Sequence, residues 1–252
     1  MSRYDDGNEF PAYVPVAERR ARNAEAVKYL TQKNPHIHPI VVTGRTLAST
    51  WWGQAWNKNL ERYADFANRI GRGRSYVRHG AVIDLSLNGG MVTALVQGSR
   101  QKPYQVEVAI EPLKAQTWSA IVKASEGQIT SLSDLVQGRF PKTLATLFSD
   151  HGGLFPTPAQ IHMRCSCPDW ATLCKHVAAV LYGIGVRLDE DPTLFFGLRN
   201  VTVNDLISQA VADKADTLLK KSEAKSARAL DADNTEDLGA LFGIDLDDGN
   251  KP

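Results

Sequence analysis

The stretch Ala81-Val-Ile-Asp-Leu-Ser-Leu-Asn88-Gly89-Gly90-Met91-Val-Thr-Ala-Leu-Val-Gln97, continued through 98–103 into Tyr104-Gln-Val-Glu-Val-Ala-Ile110, decides the fold class. Its three runs are rich in β-formers, and turn residues break them apart. Asn88-Gly89 between two alternating runs is a strong hairpin signal, because a tight turn needs positive φ and glycine adopts it without steric cost. The sequence therefore predicts an antiparallel meander of three or four strands over 76–110.

Outward from the meander the period changes to that of helices. Residues 51–67 set Trp52, Trp56, Leu60 and Tyr63 near four apart, which predicts a helix that buries its indoles against the sheet. The other reading of three tryptophans in six residues is an exposed base-stacking platform. Residues 112–150 return helical spacing in three groups: Leu113, Trp118, Ile121 and Val122; Leu132, Leu135 and Val136; Leu144, Leu147 and Phe148, with Pro141 in the first turn of the last. Residues 1–40, with Pro11, Pro15, Pro35 and Pro39, read as a loose lead-in carrying one helix over 17–31, and Ile40-Val-Val-Thr43 as a short strand.

A second decisive stretch is Arg164-Cys165-Ser-Cys167-Pro168-Asp169-Trp170-Ala-Thr-Leu-Cys174-Lys175-His176, which holds all three cysteines of the chain and a histidine. Residues two apart on an extended segment point the same way, so Cys165 and Cys167 offer both sulfurs to one side. Pro168 and Asp169 read as the turn that brings the chain back. Cys174 and His176, also two apart, do not share a helix face and belong at the entry to a helix. Three thiolates and one imidazole complete a tetrahedral Zn²⁺ shell with no open position, so the metal, one per chain, is structural rather than catalytic. Zinc is expected to supply most of the free energy holding a poorly cored hairpin. Arg164 and Lys175 offset the thiolate charge, and His151 and His162 read as surface residues.

The predicted fold class is α+β: an amino-terminal antiparallel β-meander with helices, then a small zinc-binding finger and a helical carboxy-terminal region. The stretches are 1–40, the lead-in; 41–153, the α+β domain, ending at Gly152-Gly153; 156–199, the finger with following helices at 176–186 and 193–198; and 200–252, a helix over 203–221 and then an acidic, partly disordered tail. Within that tail the apolar island 238–246 reads as a docked tail helix or a short partner-binding peptide.

Composition bounds the function. The 252 residues are 43% apolar, ample for a hydrophobic core. Three crowded cysteines favour metal over disulfides and a reducing compartment. The polar start Met1-Ser-Arg-Tyr-Asp-Asp resembles no signal peptide, and the longest apolar run, 177–186, is half what a bilayer needs. A soluble, cytoplasmic protein with no membrane association is expected. A net charge of +1 conceals an asymmetry. Residues 1–110 carry fifteen Lys/Arg against nine Asp/Glu, and 187–252 carry eight against fourteen, so a polyanionic partner suits the front half.

Cys165-x-Cys167 followed by Cys174-x-His176 resembles the signature of the SWIM zinc finger, named for Swi/Snf-type ATPases and Mu-type transposases. Thr50-Trp-Trp-Gly-Gln-Ala-Trp56, Gly71-Arg-Gly-Arg-Ser-Tyr76, Val96-Gln-Gly-Ser-Arg100, Pro103-Tyr104 and Asp189-Glu-Asp-Pro192 are similar to bacterial stand-alone SWIM proteins, over about 45–200. The resemblance implies an accessory protein of a Swi/Snf-type helicase-like ATPase, with a DNA-binding or protein-binding finger.

Arg69, Arg72, Arg74 and Arg78 crowd a glycine-rich segment read as a turn before the meander, and Ser99-Arg100-Gln-Lys102 forms another turn. Turns two strands apart emerge at one end of a meander, so the two basic loops are expected to converge on phosphates, with Tyr76 or Tyr104 stacking on a base. Candidate nucleic-acid contacts are Arg72, Arg74, Arg78, Arg100, Lys102 and Lys175. No phosphate loop, His-Glu-x-x-His or nucleophile elbow occurs, and the cysteines cannot be both ligands and nucleophiles. A non-enzymatic DNA-binding accessory factor without a small-molecule substrate is expected. The alternative is an adaptor whose finger and acidic tail bind protein; a metal-dependent nuclease ranks below both.

Overall fold

The structure, a computed structural model, describes residues 14–62, 67–129, 131–149, 153–169 and 171–208, with isolated positions up to 222. The expectations for Tyr63, His151, Trp170, most of 209–221 and the acidic tail with its apolar island lie outside the described residues. The first three strands are β1 (Val82–Asn88), β2 (Met91–Val96) and β3 (Tyr104–Ile110), and a fourth, β4 (Ile161–Cys165), pairs antiparallel with β3. The sheet order is β1-β2-β3-β4. Asn88 pairs with Met91, which leaves Gly89-Gly90 as a two-residue turn with Gly89 at φ 56°. In β3 the alternation is plain: Tyr104, Val106, Val108 and Ile110 are buried, whereas Gln105 and Glu107 face solvent.

The buried face rests on α7 (Lys175–Glu190), which touches all four strands. Twelve of its sixteen residues are buried, a helix apolar nearly all round and therefore a core element. On its other side lie α2 (Trp51–Glu61) and α3 (Ala67–Arg78). Small residues permit that approach. A methyl group at Gly53 would stand 2.6 Å from the Gly185 carbonyl oxygen, and one at Gly73 would stand 2.6 Å from the Ala178 carbonyl carbon.

This corrects the reading of 69–78 as a glycine-rich turn: Gly71 and Gly73 lie inside α3, and Gly73 is there because a neighbouring helix leaves no room for a side chain. Residues 40–43 also differ, running extended beside β1 without forming a regular strand. Ile40 donates to the Val82 carbonyl at 3.0 Å and Leu85 to the His38 carbonyl at 3.0 Å, while Pro39 has no N–H to give the ladder.

The remaining elements close the core: α1 (Val16–Lys33), α4 (Ala115–Ala124), α5 (Leu132–Val136), α6 (Lys142–Ser149), α8 (Leu194–Leu198) and a helical stretch over 203–208. The indoles of Trp52 and Trp56 are buried as the spacing predicts, and Trp51 is half-buried. Trp52 Nε1 donates to the Leu135 carbonyl at 2.9 Å and Trp56 Nε1 to the Leu181 carbonyl at 2.8 Å, so each buried N–H has an acceptor. Phe140, Phe148, Phe195 and Phe196 pack around Trp52 with ring centroids 5.5–5.8 Å away. Among the described residues no helix is long and apolar enough to cross a membrane.

Candidate metal centre and its basic surroundings

Each ligand is placed by a different local device. Cys165 ends β4, held by the β3 ladder opposite Val106. Ser166 N–H then donates to the Gln105 carbonyl at 3.0 Å, which carries the chain past the strand end to Cys167. The Asp169 carboxylate accepts from Ala171 N–H at 3.2 Å and pairs with Arg69 of α3, fixing the turn. Cys174 caps α7, its Sγ accepting from Val177 N–H at 3.5 Å, and His176 stands in the first turn, at the helix entry that the spacing requires.

The four ligand atoms lie within 4.8 Å of one another. His176 Nδ1 is 3.9 Å from Cys165 Sγ and 3.8 Å from Cys174 Sγ. A tetrahedral Zn²⁺ with bonds of about 2.3 Å to sulfur and about 2.0 Å to nitrogen needs edges close to these. The charges agree. A hydrogen bond from Cys165 pulls Cys174 down to about 3 against its burial, His176 and Val177 N–H reinforcing it. That same pairing, with burial, pushes Cys165 up, and burial raises Cys167. Three crowded sulfurs become thiolates together only around a cation. Cys165, Cys167, Cys174 and His176 are thus positioned to bind one zinc ion, and they fill its shell.

His176 is 2% exposed, and its ring is set by aromatic neighbours. The Tyr104 ring lies 4.4 Å away at 35°, and Tyr76 meets it edge-on at 5.5 Å. Gly98 faces the far nitrogen: a methyl group there would stand 3.0 Å from His176 Nε2 and would also collide with the Tyr104 ring. Tyr104, 6% exposed, is therefore part of the metal site's wall and is not free to stack on a base.

The basic candidates have separate fates. Arg74 is engaged by Glu61 and lies 3.2 Å from the Tyr182 hydroxyl; Arg78 donates to the Arg45 carbonyl at 2.8 Å. Arg69 belongs to Asp169. Arg72 is exposed on α3 with no ion pair among the described residues, Lys102 is exposed in the β2–β3 loop, and Arg100 of that loop reaches 6.0 Å over the Tyr104 ring. Lys175, half-buried, opens α7. His162 sits on the surface with Glu111 at 2.9 Å.

The sequence places a helix over 17–31 but gives it no part in a site, and the structure gives α1 one. Arg19 and Arg22 of that helix face Tyr76, whose phenol is pushed up by burial while Arg19, Arg22 and Arg72 pull it down. Arg22 also hydrogen-bonds the Gly98 carbonyl. The signal is the run Arg19-Arg20-x-Arg22, to which helical spacing alone assigns no neighbour.

Residues 163–183 match the family model of the SWIM zinc finger. The chain is 36% identical over 176 residues to the uncharacterized protein Rv2102 of Mycobacterium tuberculosis, a match covering 69% of this chain and 63% of that protein. The chain thus spans less than two thirds of that relative's length. No solved structure matches. With the ligand geometry and the family match in agreement, residues 163–183 of this chain are a SWIM zinc finger.

Proposed function

We propose that this protein is a non-enzymatic nucleic-acid-binding factor, with DNA as its first ligand, acting beside a Swi/Snf-type helicase-like ATPase in the cytoplasm. The observation that carries the reading is the set of unpaired cations near the finger. Arg72, Arg100 and Lys102 have no carboxylate partner among the described residues, whereas Arg69, Arg74, Arg139 and Arg187 do. Uncommitted guanidinium groups are the ones able to fork onto phosphate oxygens. The zinc has a filled shell, so it supplies a cross-link between β4 and α7 and no reactive position. The motor partner is taken from the resemblance alone.

An electrophoretic shift at two salt concentrations tests the reading. Affinity should fall steeply with salt, and Arg72→Ala with Arg100→Ala should weaken binding and flatten the slope by about one unit for each phosphate no longer engaged. The second reading, a protein-binding adaptor, draws on the acidic balance of 187–252. It predicts a salt-tolerant complex with the motor that survives replacement of those arginines but not truncation after Lys221.

A further inference from the structure

Between α1, the end of α3 and the β2–β3 loop lies a cleft of about 420 Å³, lined among others by Arg19, Arg22, Asn23, Tyr76, Gln97 and Ser99. Its size is that of a site for one small ligand, about 300–1,000 Å³. No carboxylate lines it among the described residues.

Two of its polar side chains are nine-tenths buried and fixed on one side only. Asn23, 5% exposed, donates through Nδ2 to the His79 carbonyl at 2.8 Å; Gln97, 4% exposed, donates through Nε2 to the Arg100 carbonyl at 2.6 Å. Those donors settle which end of each amide is the oxygen. Asn23 Oδ1 and Gln97 Oε1 accept from no described donor. With no donor among the described residues, those two oxygens are open to hydrogen bonds from the N–H groups of a ligand in the cleft.

We infer that this cleft holds one nucleotide unit of a single strand: its phosphate on Arg22, its base edge donating to Asn23 and Gln97, its ring beside Tyr76. The inference rests on the nucleic-acid reading above and narrows it to unpaired strands. The cleft supplies cations, acceptors and an aromatic ring together, which matches a nucleotide's anion, exocyclic N–H groups and π-face. A duplex turns its base edges inward and cannot insert one with its phosphate. A free mononucleotide has the same chemistry, so the test must separate the two sources.

The experiment is fluorescence anisotropy of the zinc-loaded full chain with a labelled mixed-sequence 20-mer, single-stranded and as the matching duplex, with unlabelled mononucleotides as competitors. The single strand should bind about tenfold or more tighter than the duplex. Arg22→Ala, at an exposed position, should weaken single-strand binding about tenfold, as should Gln97→Leu if zinc content and circular dichroism are retained. Mononucleotide that displaces the strand at similar molar concentration, through an Arg22-dependent site, assigns the cleft to free nucleotides. Equal single-strand and duplex affinity, or unchanged binding by both variants, overturns the inference and leaves the nucleic-acid reading standing. Absence of binding to any nucleic acid overturns that reading as well.

Discussion

Gly73 of α3 and Ala178 of α7 meet where two helices cross, and a methyl group at Gly73 would stand 2.5 Å from the Ala178 Cβ. That meeting point sets how closely the arginine-bearing helix lies on the finger's own helix. Both remaining atoms nearest the absent Cβ belong to the backbone, so no rotamer change relieves a larger residue. Gly73→Ala gains helix propensity of about 1 kcal/mol but should lose more by overpacking, for a net destabilisation of about 1–2 kcal/mol. Urea denaturation checks this. Gly71→Ala is the control, with open space around it, and should stabilise.

Removal of zinc is expected to loosen the ligand loop and leave the fold standing. The sequence alone suggests a finger dependent on its metal for most of its stability. Yet α7 is buried along its length and β4 is hydrogen-bonded to β3, so apolar burial holds both halves of the finger in place. Elemental analysis should give one zinc per chain. After chelation, or in Cys174→Ser, hydrogen exchange should rise over 165–176 while far-ultraviolet circular dichroism stays close to that of the zinc form. Global unfolding on chelation would refute this account.

Gly98→Ala should weaken zinc binding without touching a ligand. The new methyl group meets His176 Nε2 at 3.0 Å and the Tyr104 ring, and the imidazole must turn to escape. Disturbing such orienting neighbours typically costs about 10–100-fold in metal affinity. Competition with a chromophoric chelator measures it.

Asp189, near the end of α7, accepts from Ser49 N–H at 2.8 Å and Thr50 N–H at 2.6 Å, tying the chain before α2 to the finger's helix. Burial raises its pKa, but these hydrogen bonds outweigh burial and hold it below the usual carboxylate value. A depressed folded-state pKa stabilises above the unfolded value of about 3.9, and the contribution is lost as pH falls through the folded value. Asp189→Asn should therefore cost about 1–2 kcal/mol at pH 7 and progressively less below pH 4. Denaturation series at pH 7 and pH 3 test the sign.

The chemistry and the local folds were legible in the sequence, because both depend on near neighbours. Three cysteines and a histidine within twelve residues fix a zinc site by ligand type and count, and Asn88-Gly89-Gly90 between alternating runs fixes a hairpin by backbone sterics. Tertiary structure decided what those pieces face. Gly71-Arg-Gly-Arg74 carries the composition of a turn, but it lies in a helix whose Gly73 packs against Ala178 of α7, about 100 positions away, and whose Arg74 is engaged by Glu61 of α2. The cleft beside Tyr76 has the same origin. Its arginines come from α1 and its buried amides from α1 and the end of β2, and only packing brings them to one place, since long-range contacts leave no periodic trace in the chain.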